Sequence, residues 1–457
     1  MNNTRTILTA TVLVAAAVLF FLPPPDGLSV QTMRSGALVL FTVGFWAVGS
    51  LPEHVTGLLF FLVAMVFAVA PAQVVFSGFA SATLWLVLGG LIIAQAVTRT
   101  GLAQRLSGVL FARFATSYVR LVIAVVVAAV ALSFVMPATV GRVLLMTPIV
   151  VAAAEGAGFA YGSKGYDGLC LAAMMTTYQC GTAVLPANAP NLVLAGAAEA
   201  LYGVELRYAE YLWYQFPVMG FAKACAIIGL VCWLFPATAR RAAPAPVVTP
   251  LTAEQRRMAV ILIASLLLWA TDFAHGITAG WIALGAGIAC VMPRIGVMSY
   301  AAFNEVRFGP YFYVAAALGL GVLTQKSGLS EALGTSLHGV LVLRPGADFV
   351  NYTVLSLFST VAGVFTTNPA QPAVLAPLAQ QFTDATAWPL KTALMTMAVG
   401  FSTMILPHQV PPVVVGMQAA GLRLAPMIKL SVPLAILSIV VLFPLHYLWW
   451  RLIGAFG

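Results

Sequence analysis

Closely spaced apolar segments run along almost the whole chain, separated by short polar connections; residues 7–22, 79–97 and 211–236 are examples. A helix needs about 20 apolar residues to cross a bilayer. Only 8% of the 457 residues are charged, whereas a soluble domain carries about a quarter. The pattern therefore excludes a soluble enzyme. It predicts an all-α polytopic membrane protein with roughly ten to thirteen hydrophobic segments.

The charges indicate how such a chain is oriented. Lysine and arginine outnumber aspartate and glutamate by 22 to 13 and lie mostly between the apolar segments. This placement is typical of topology signals and of contact with anionic membrane lipid, not of nucleic-acid binding. The most polar stretch, residues 237–257, predicts a cytoplasmic linker. A second cationic cluster consists of Arg99, Arg105, Arg113 and Arg120.

The two halves of the chain repeat each other. Three segments recur in the same order, namely 98–106 with 325–333, 137–148 with 366–377 and 182–190 with 403–411. The stretch at 325–344 carries fewer basic residues than its counterpart, which indicates repeats of inverted topology, an architecture of secondary transporters. The predicted divisions are a first span at 1–35, a first repeat at 36–236, the linker at 237–257 and a second repeat at 258–457.

Each repeat has two features that suit a binding site. One is a pair of short apolar segments joined by a polar tip, at 136–142 and at 366–371, which predicts a re-entrant hairpin. The other is a helix broken by prolines, at 186–191 and 407–412. Irregular backbone at bilayer depth is tolerated where it lines a cavity, and paired breaks point to a transporter site. The predicted backbone lining comprises Ala138, Val140, Pro186, Pro190, Pro369, Pro407 and Pro411.

Polar side chains at these tips and breaks are the candidate substrate ligands. Arg142 lies inside an apolar run, and its guanidinium suits bidentate binding of a carboxylate. Pairing with a helix end or with Glu155 is the alternative. The other candidates are Thr139, Asn188, Asn191, Thr367, Asn368, Gln371 and His408. The neutral amides of asparagine and glutamine can donate hydrogen bonds to a carboxylate or merely cap a broken helix. His408 suits proton transfer, substrate binding or a structural hydrogen bond.

Acidic residues are missing from both tips and both breaks. This argues against a proton antiporter built on a midplane carboxylate and against a carboxylate-rich metal enzyme. The five cysteines lack the spacing of metal ligands, so no metal site is predicted.

Several motifs resemble the divalent anion:sodium symporter family of the ion transporter superfamily. Residues 76–90 and Arg99-Thr-Gly-Leu102 are similar to its early helices, and Thr252 to Arg256 resembles the start of its second half. Cys180 to Asn191 resembles its first helix break. The resemblance covers nearly the whole chain and implies inverted repeats, opposed re-entrant hairpins, a homodimer, and an elevator motion that carries a carboxylate or sulfate.

The hairpin tips depart from the family pattern. The family has Ser-Asn-Thr at each tip, where it binds substrate and helps to form sodium sites. This chain has Ala138-Thr-Val140 at one tip and Thr367-Asn-Pro369 at the other. Pro137 to Arg142 keeps the ends of the Pro-Ser-Asn-Thr-Ala-Arg pattern that the dicarboxylate exchangers of the family show. The resemblance therefore implies that Arg142 supplies the positive charge that sodium supplies in symporters.

The sequence thus predicts a transporter of small organic anions, di- or tricarboxylates, in the inner membrane. We expect sodium-independent exchange by alternating access, with no cofactor. A sodium- or proton-coupled carboxylate or sulfate symporter is the first alternative. An integral-membrane enzyme that acts on a lipid or prenyl phosphate is a remote one.

Overall fold

A computed structural model describes residues 3–106, 108, 117–238, 250–338 and 340–457. Arg113 and most of the predicted linker, residues 239–249, lie outside the described residues. The described parts consist of helices, turns and loops, and contain no strand.

Among the described residues, the first half has a leading helix and eight more that are eight residues or longer. In chain order they are α1 (Asn3–Phe21), α2 (Val30–Val48), α3 (Glu53–Val66), α4 (Ala82–Thr100), α5 (Tyr118–Val135), α6 (Thr139–Gly156), α7 (Lys164–Gln179), α8 (Ala189–Tyr202) and α9 (Tyr208–Leu234). Serine caps start α2, α4, α5 and α7, where each serine hydroxyl accepts a backbone N–H of the first turn.

The second half follows a parallel plan. Its helices are α10 (Ala253–Ala270), α11 (Ala279–Val291), α12 (Gly309–Lys326), α13 (Leu329–His338), α14 (Asp348–Phe365), α15 (Gln371–Leu375), α16 (Ala379–Thr386), α17 (Leu390–Phe401), α18 (Pro411–Ala419) and α19 (Leu424–Leu452). Helix α10 begins inside the predicted linker because Thr252 and Gln255 form a reciprocal capping box there.

The hairpins, the broken helices and the long last helices of the two halves correspond. The hairpin α5–α6 corresponds to α14 with α15 and α16, and the broken helix α7–α8 corresponds to α17–α18. The long helices α9 and α19 each contain one π-helical turn, at Phe216–Ala222 and Ser438–Leu442. The predicted architecture of two inverted repeats with re-entrant hairpins and discontinuous helices is confirmed.

Seven helices of the described residues are long and apolar enough to cross a membrane, and three shorter apolar helices accompany them. Two apolar cores lie among these helices. One includes Phe60, Leu318 and Phe401, and the other includes Leu121 and Met174. Most residues of the hairpin tips and helix breaks are buried or partly buried, whereas Val140 and His408 are exposed.

Candidate substrate site

The first hairpin tip and the first helix break meet at one amide. The Asn188 Oδ1 atom accepts a hydrogen bond of 2.5 Å from the Thr139 hydroxyl and one of 2.7 Å from an Arg142 Nη. Its Nδ2 donates to the Tyr178 carbonyl at 2.9 Å. Asn188 precedes α8 but does not cap its N–H groups, so its side chain joins the tip to the break.

Arg142 is completely buried and lies behind the tip. Besides Asn188, its guanidinium donates to the carbonyl of Met136, at the end of α5, and to that of Thr177, in the last turn of α7, at 3.1 and 3.2 Å. A positive charge there complements the negative ends of two helix dipoles. The structure therefore places Arg142 against helix ends and Asn188, with no contact to Glu155 in the described hydrogen bonds and ion pairs.

The second tip and the second break meet in a different way. The Asn368 N–H donates to the Gln409 carbonyl at 2.8 Å, and Gln409 Nε2 donates back to Asn368 Oδ1 at 3.2 Å. Asn368 Nδ2 donates to the Phe401 carbonyl at 2.9 Å. Gln371 Nε2 donates to the Ser359 carbonyl at 2.6 Å, which joins the two arms of the hairpin.

A buried lysine occupies the C-terminal end of α17. Lys223 follows the π-helical turn of α9, and its ammonium donates to the Ser402 carbonyl at 2.9 Å and to the Ser402 hydroxyl at 3.1 Å. Ser402 is the C-cap of α17. The two repeats thus share a feature, because each broken helix has a completely buried basic side chain at the C-terminal end of its first half. Among the described residues, Arg142 and Lys223 are the arginine and lysine side chains that are this deeply buried.

The two breaks also contact each other. The Tyr178 hydroxyl, near the end of α7, donates to the Phe401 carbonyl of α17 at 2.9 Å. That carbonyl also accepts from Asn368, so both hairpins and both broken helices belong to one hydrogen-bonded unit.

A cavity of about 180 Å³ lies where the tips and breaks face α4 and α12. Of the predicted site residues, six line it: Ala138, Thr139, Val140, Pro190, Pro369 and Pro411. Tyr178 and Tyr313 add rings, and Glu53, the first residue of α3, adds a carboxyl group. The Tyr313 hydroxyl is buried and has no hydrogen-bond partner among the described residues, so it is available to a ligand.

The structure places the remaining predicted residues elsewhere. Asn191 and Pro186 are buried within the first break, where Asn191 Nδ2 donates to the Val184 carbonyl at 2.8 Å. Thr367 is buried, and its carbonyl accepts the N–H groups of Ala370 and Gln371. Pro407 begins a short 3-10 turn. His408, in that turn, is exposed and bonds the Val364 carbonyl at 3.0 Å, and the neighbouring Gln409 is the side chain that points to the tip.

Sequence reasoning missed Lys223, Gln409 and Glu53. The signal for Lys223 was present, since an ionisable residue inside an apolar segment at 211–236 marks a functional position by default. Glu53 lies at the start of a segment, and no pattern reveals that this end abuts the cavity. No cluster of potential metal ligands occurs in the described part of the chain.

Comparison with known proteins decides the family. The profile described as "Sodium:sulfate symporter transmembrane region" matches residues 3–456. The chain belongs to this family. A "Membrane protein" of Cupriavidus necator is 24% identical over 96% of this chain and 91% of its own length. The "L-tartrate/succinate antiporter" of Shigella flexneri is 21% identical over 74% of this chain and 72% of its own.

One further relative of this family member and one solved structure extend the comparison. The chloroplastic "Dicarboxylate transporter 2.2" of Arabidopsis thaliana is 19% identical over 98% of this chain and 85% of its own length. The crystal structure of the Alcanivorax borkumensis YdaH transporter, described as having an unusual topology, superposes with a TM-score of 0.59 at 17% identity. The match covers 93% of this chain and 99% of that one, and it supports the fold.

Proposed function

We propose that this family member exchanges small organic carboxylates across the inner membrane by alternating access and without sodium. Membership of the family and similarity to two relatives, a tartrate/succinate antiporter and a dicarboxylate transporter, support the substrate class. The cavity between the hairpin tips and the helix breaks is the proposed substrate site.

One observation carries the sodium-independent part of the proposal. In transporters with discontinuous helices, the C-terminal ends of half-helices and unwound carbonyls coordinate coupling cations. Here Arg142 and Lys223 donate to carbonyls at such ends. Neither takes part in the two ion pairs found among the described residues, so each charge is available to its helix end. These two fixed positive charges neutralise the helix ends that a bound cation neutralises in cation-coupled transporters.

The test is efflux of radiolabelled succinate from proteoliposomes that contain the purified protein. Efflux is measured with and without external succinate, citrate or sulfate, in sodium-free and in sodium buffers. We expect efflux that requires an external anion and has the same rate in both buffers. Net efflux that appears only in sodium would refute the exchange mechanism.

Proton coupling is the second candidate, and Glu53 is the observation that favours it. Its carboxyl group lines the cavity although neither tip nor break contains an acid. If Glu53 carries a proton with the substrate, an inward proton gradient accelerates uptake and Glu53→Gln abolishes the acceleration. If Glu53 merely shapes the cavity, the gradient has no effect on either protein.

The surroundings of this site belong to the same proposal. The protein is a homodimer in contact with anionic lipid, uses no cofactor, and is not an enzyme. Only 6% of the apolar span Thr4–Phe21 in α1 is buried within one chain, which suits contact with lipid or a second copy. Native mass spectrometry in nanodiscs measures the oligomeric state, and a monomer at all lipid compositions would contradict the dimer.

A further inference from the structure

The two sides of the central cavity differ in their ability to bind an anion. The first repeat's tip and break line the cavity with two prolines, Pro137 and Pro190, and with three residues that have an N–H group, Thr139, Val140 and Ala189. These are first-turn residues of α6 and α8, and neither helix has a side-chain cap. The first N–H groups of a helix have no partner within the helix, and no other backbone bond is found for these three among the described residues. They are free to donate to an anion.

The second repeat offers the opposite surface. Its tip and break line the cavity with Pro369, Pro411 and Pro412, and proline has no N–H to donate. The donors next to them are already used, because the Asn368 N–H bonds the Gln409 carbonyl and the Val413 N–H bonds the Val410 carbonyl.

The walls between these two sides are also largely apolar. Helix α4 contributes Leu86, Val87 and Leu91 to the lining, and α12 contributes Val314. The ionisable side chain with a formal charge at neutral pH in this lining is Glu53. In its ionised form this carboxylate repels a second carboxylate. The unpartnered Tyr313 hydroxyl adds one neutral polar group.

From this asymmetry we infer that the cavity takes a carboxylate with one anionic end and an apolar body. The anionic end lies at the N-termini of α6 and α8, and the body lies against the prolines and α4. Arg142 is linked to this end by hydrogen bonds. It donates to Asn188 Oδ1, which also accepts a hydrogen bond from the hydroxyl of the lining residue Thr139. A cavity of about 150 Å³ lined by apolar side chains holds a benzene ring, and this one has about 180 Å³.

This inference rests on the proposed carboxylate function and narrows it. The sequence predicts a di- or tricarboxylate, for which a second cluster of donors is needed opposite the first. In the described residues, the prolines of the second repeat stand where those donors are required, so a second carboxylate there finds no backbone donor from that repeat, and its burial is costly.

Isothermal titration calorimetry of the purified protein in nanodiscs tests the inference with three probes. Phenylacetate has one carboxylate and a ring, succinate has two carboxylates, and phenylacetamide is a neutral analogue of phenylacetate. We expect phenylacetate to bind at least about tenfold more tightly than either of the others. Empty nanodiscs control for partition of the ring into lipid.

The possible results separate this inference from the proposed function. Succinate that binds as tightly as phenylacetate overturns the inference and leaves carboxylate transport in place. Phenylacetamide that binds as tightly as phenylacetate also overturns it, because the site then has no anionic end. If no carboxylate binds, both the inference and the proposed function fail.

A variant gives an independent check on the apolar side. Pro369→Ser introduces an N–H and a hydroxyl group into the cavity wall. It is expected to narrow the difference in affinity between succinate and phenylacetate several-fold. An unchanged difference in a folded variant would contradict the role given to Pro369. If the variant does not fold, the three-probe comparison on the unaltered protein decides the question.

Discussion

Arg142 donates hydrogen bonds in diverging directions, to the ends of α5 and α7 and to Asn188. A lysine at this position keeps the charge but presents one nitrogen, which cannot reach all three acceptors. A hydrogen bond from a charged group contributes about 1.5–3 kcal/mol, so we expect Arg142→Lys to lower the exchange rate about tenfold or more. The measurement is the initial exchange rate per folded protein. A near-normal rate would show that positive charge alone suffices.

Gln409 and His408 form a matched pair for testing which residue holds the second tip. Gln409 Oε1 accepts the N–H groups of Ile405 and Leu406 at 2.8 Å each, and its Nε2 donates to Asn368. Gln409→Ala leaves two partly buried N–H groups and the buried Asn368 amide oxygen unpaired, at up to about 1–3 kcal/mol each, and should abolish most exchange and lower the melting temperature. His408→Ala removes one bond at an exposed position and should have little effect on either. The reverse order of effects would contradict the geometry.

Residue-level prediction from sequence succeeded where a motif fixes the position. The proline break and the hairpin tip place Asn188 and Arg142 in the interior, and both are completely buried. Sequence alone does not tell which of His408 and Gln409 faces the tip, because neighbouring residues of a short 3-10 turn point in different directions. The difference between an arginine that touches substrate and one that supports the tip depends on atomic packing that no residue pattern contains.

Helices α4 and α11 pack so closely that glycine is required at their contact. A Cβ atom on Gly280 would overlap the carbonyl oxygen of Ala82, whereas one on Gly285 meets nothing within 4 Å. Small residues at such crossings let helix backbones approach in membranes. Gly280→Ala should therefore destabilise the protein by about 1–3 kcal/mol, measured as a lower melting temperature. Gly285→Ala, on the same helix, should leave it unchanged or raise it, and equal losses in both variants would contradict the close contact.

The sequence predicts helices and breaks well where the length of an apolar segment and the position of its prolines indicate the same boundary. Hairpins, breaks and the order of the repeats follow the sequence, because a buried backbone needs continuous helix except where it lines a cavity. Some helix boundaries differ from the predicted ones, because capping residues decide where a helix begins. Helix α10 starts at Ala253 on its capping box, and α6 continues through Pro148, a residue that signals a break when the sequence is considered alone.

The molecule as a whole has two repeats that are alike in backbone and unlike in chemistry. Their hairpins, breaks and π-helical turns correspond, yet the first tip presents free donors to the cavity and the second presents proline. The broken helix of each repeat ends against a buried basic side chain. Both side chains come from the first repeat, because Lys223 of α9 donates to the end of the second repeat's broken helix. The sequence repeat predicts the shared backbone. It does not predict the position of Lys223, because this residue lies outside the matched segments.

Fixed basic side chains replace a coupling cation in the proposed mechanism, and Lys223→Ala removes one of them. Exchange is measured across a titration of sodium or lithium, beside the unaltered protein and Lys429→Ala. Lys429 is the matched control, because it also donates to the end of a helix, the Leu234 carbonyl at 3.0 Å, but at an exposed position.

We expect the unaltered protein and Lys429→Ala to have exchange rates that do not depend on the sodium or lithium concentration. Lys223→Ala should be slow without them and recover several-fold as one of them is added, because a small cation can occupy the vacated helix end. A Lys223→Ala protein that exchanges normally in sodium-free buffer, or that is folded yet inactive at every cation concentration, would contradict the account.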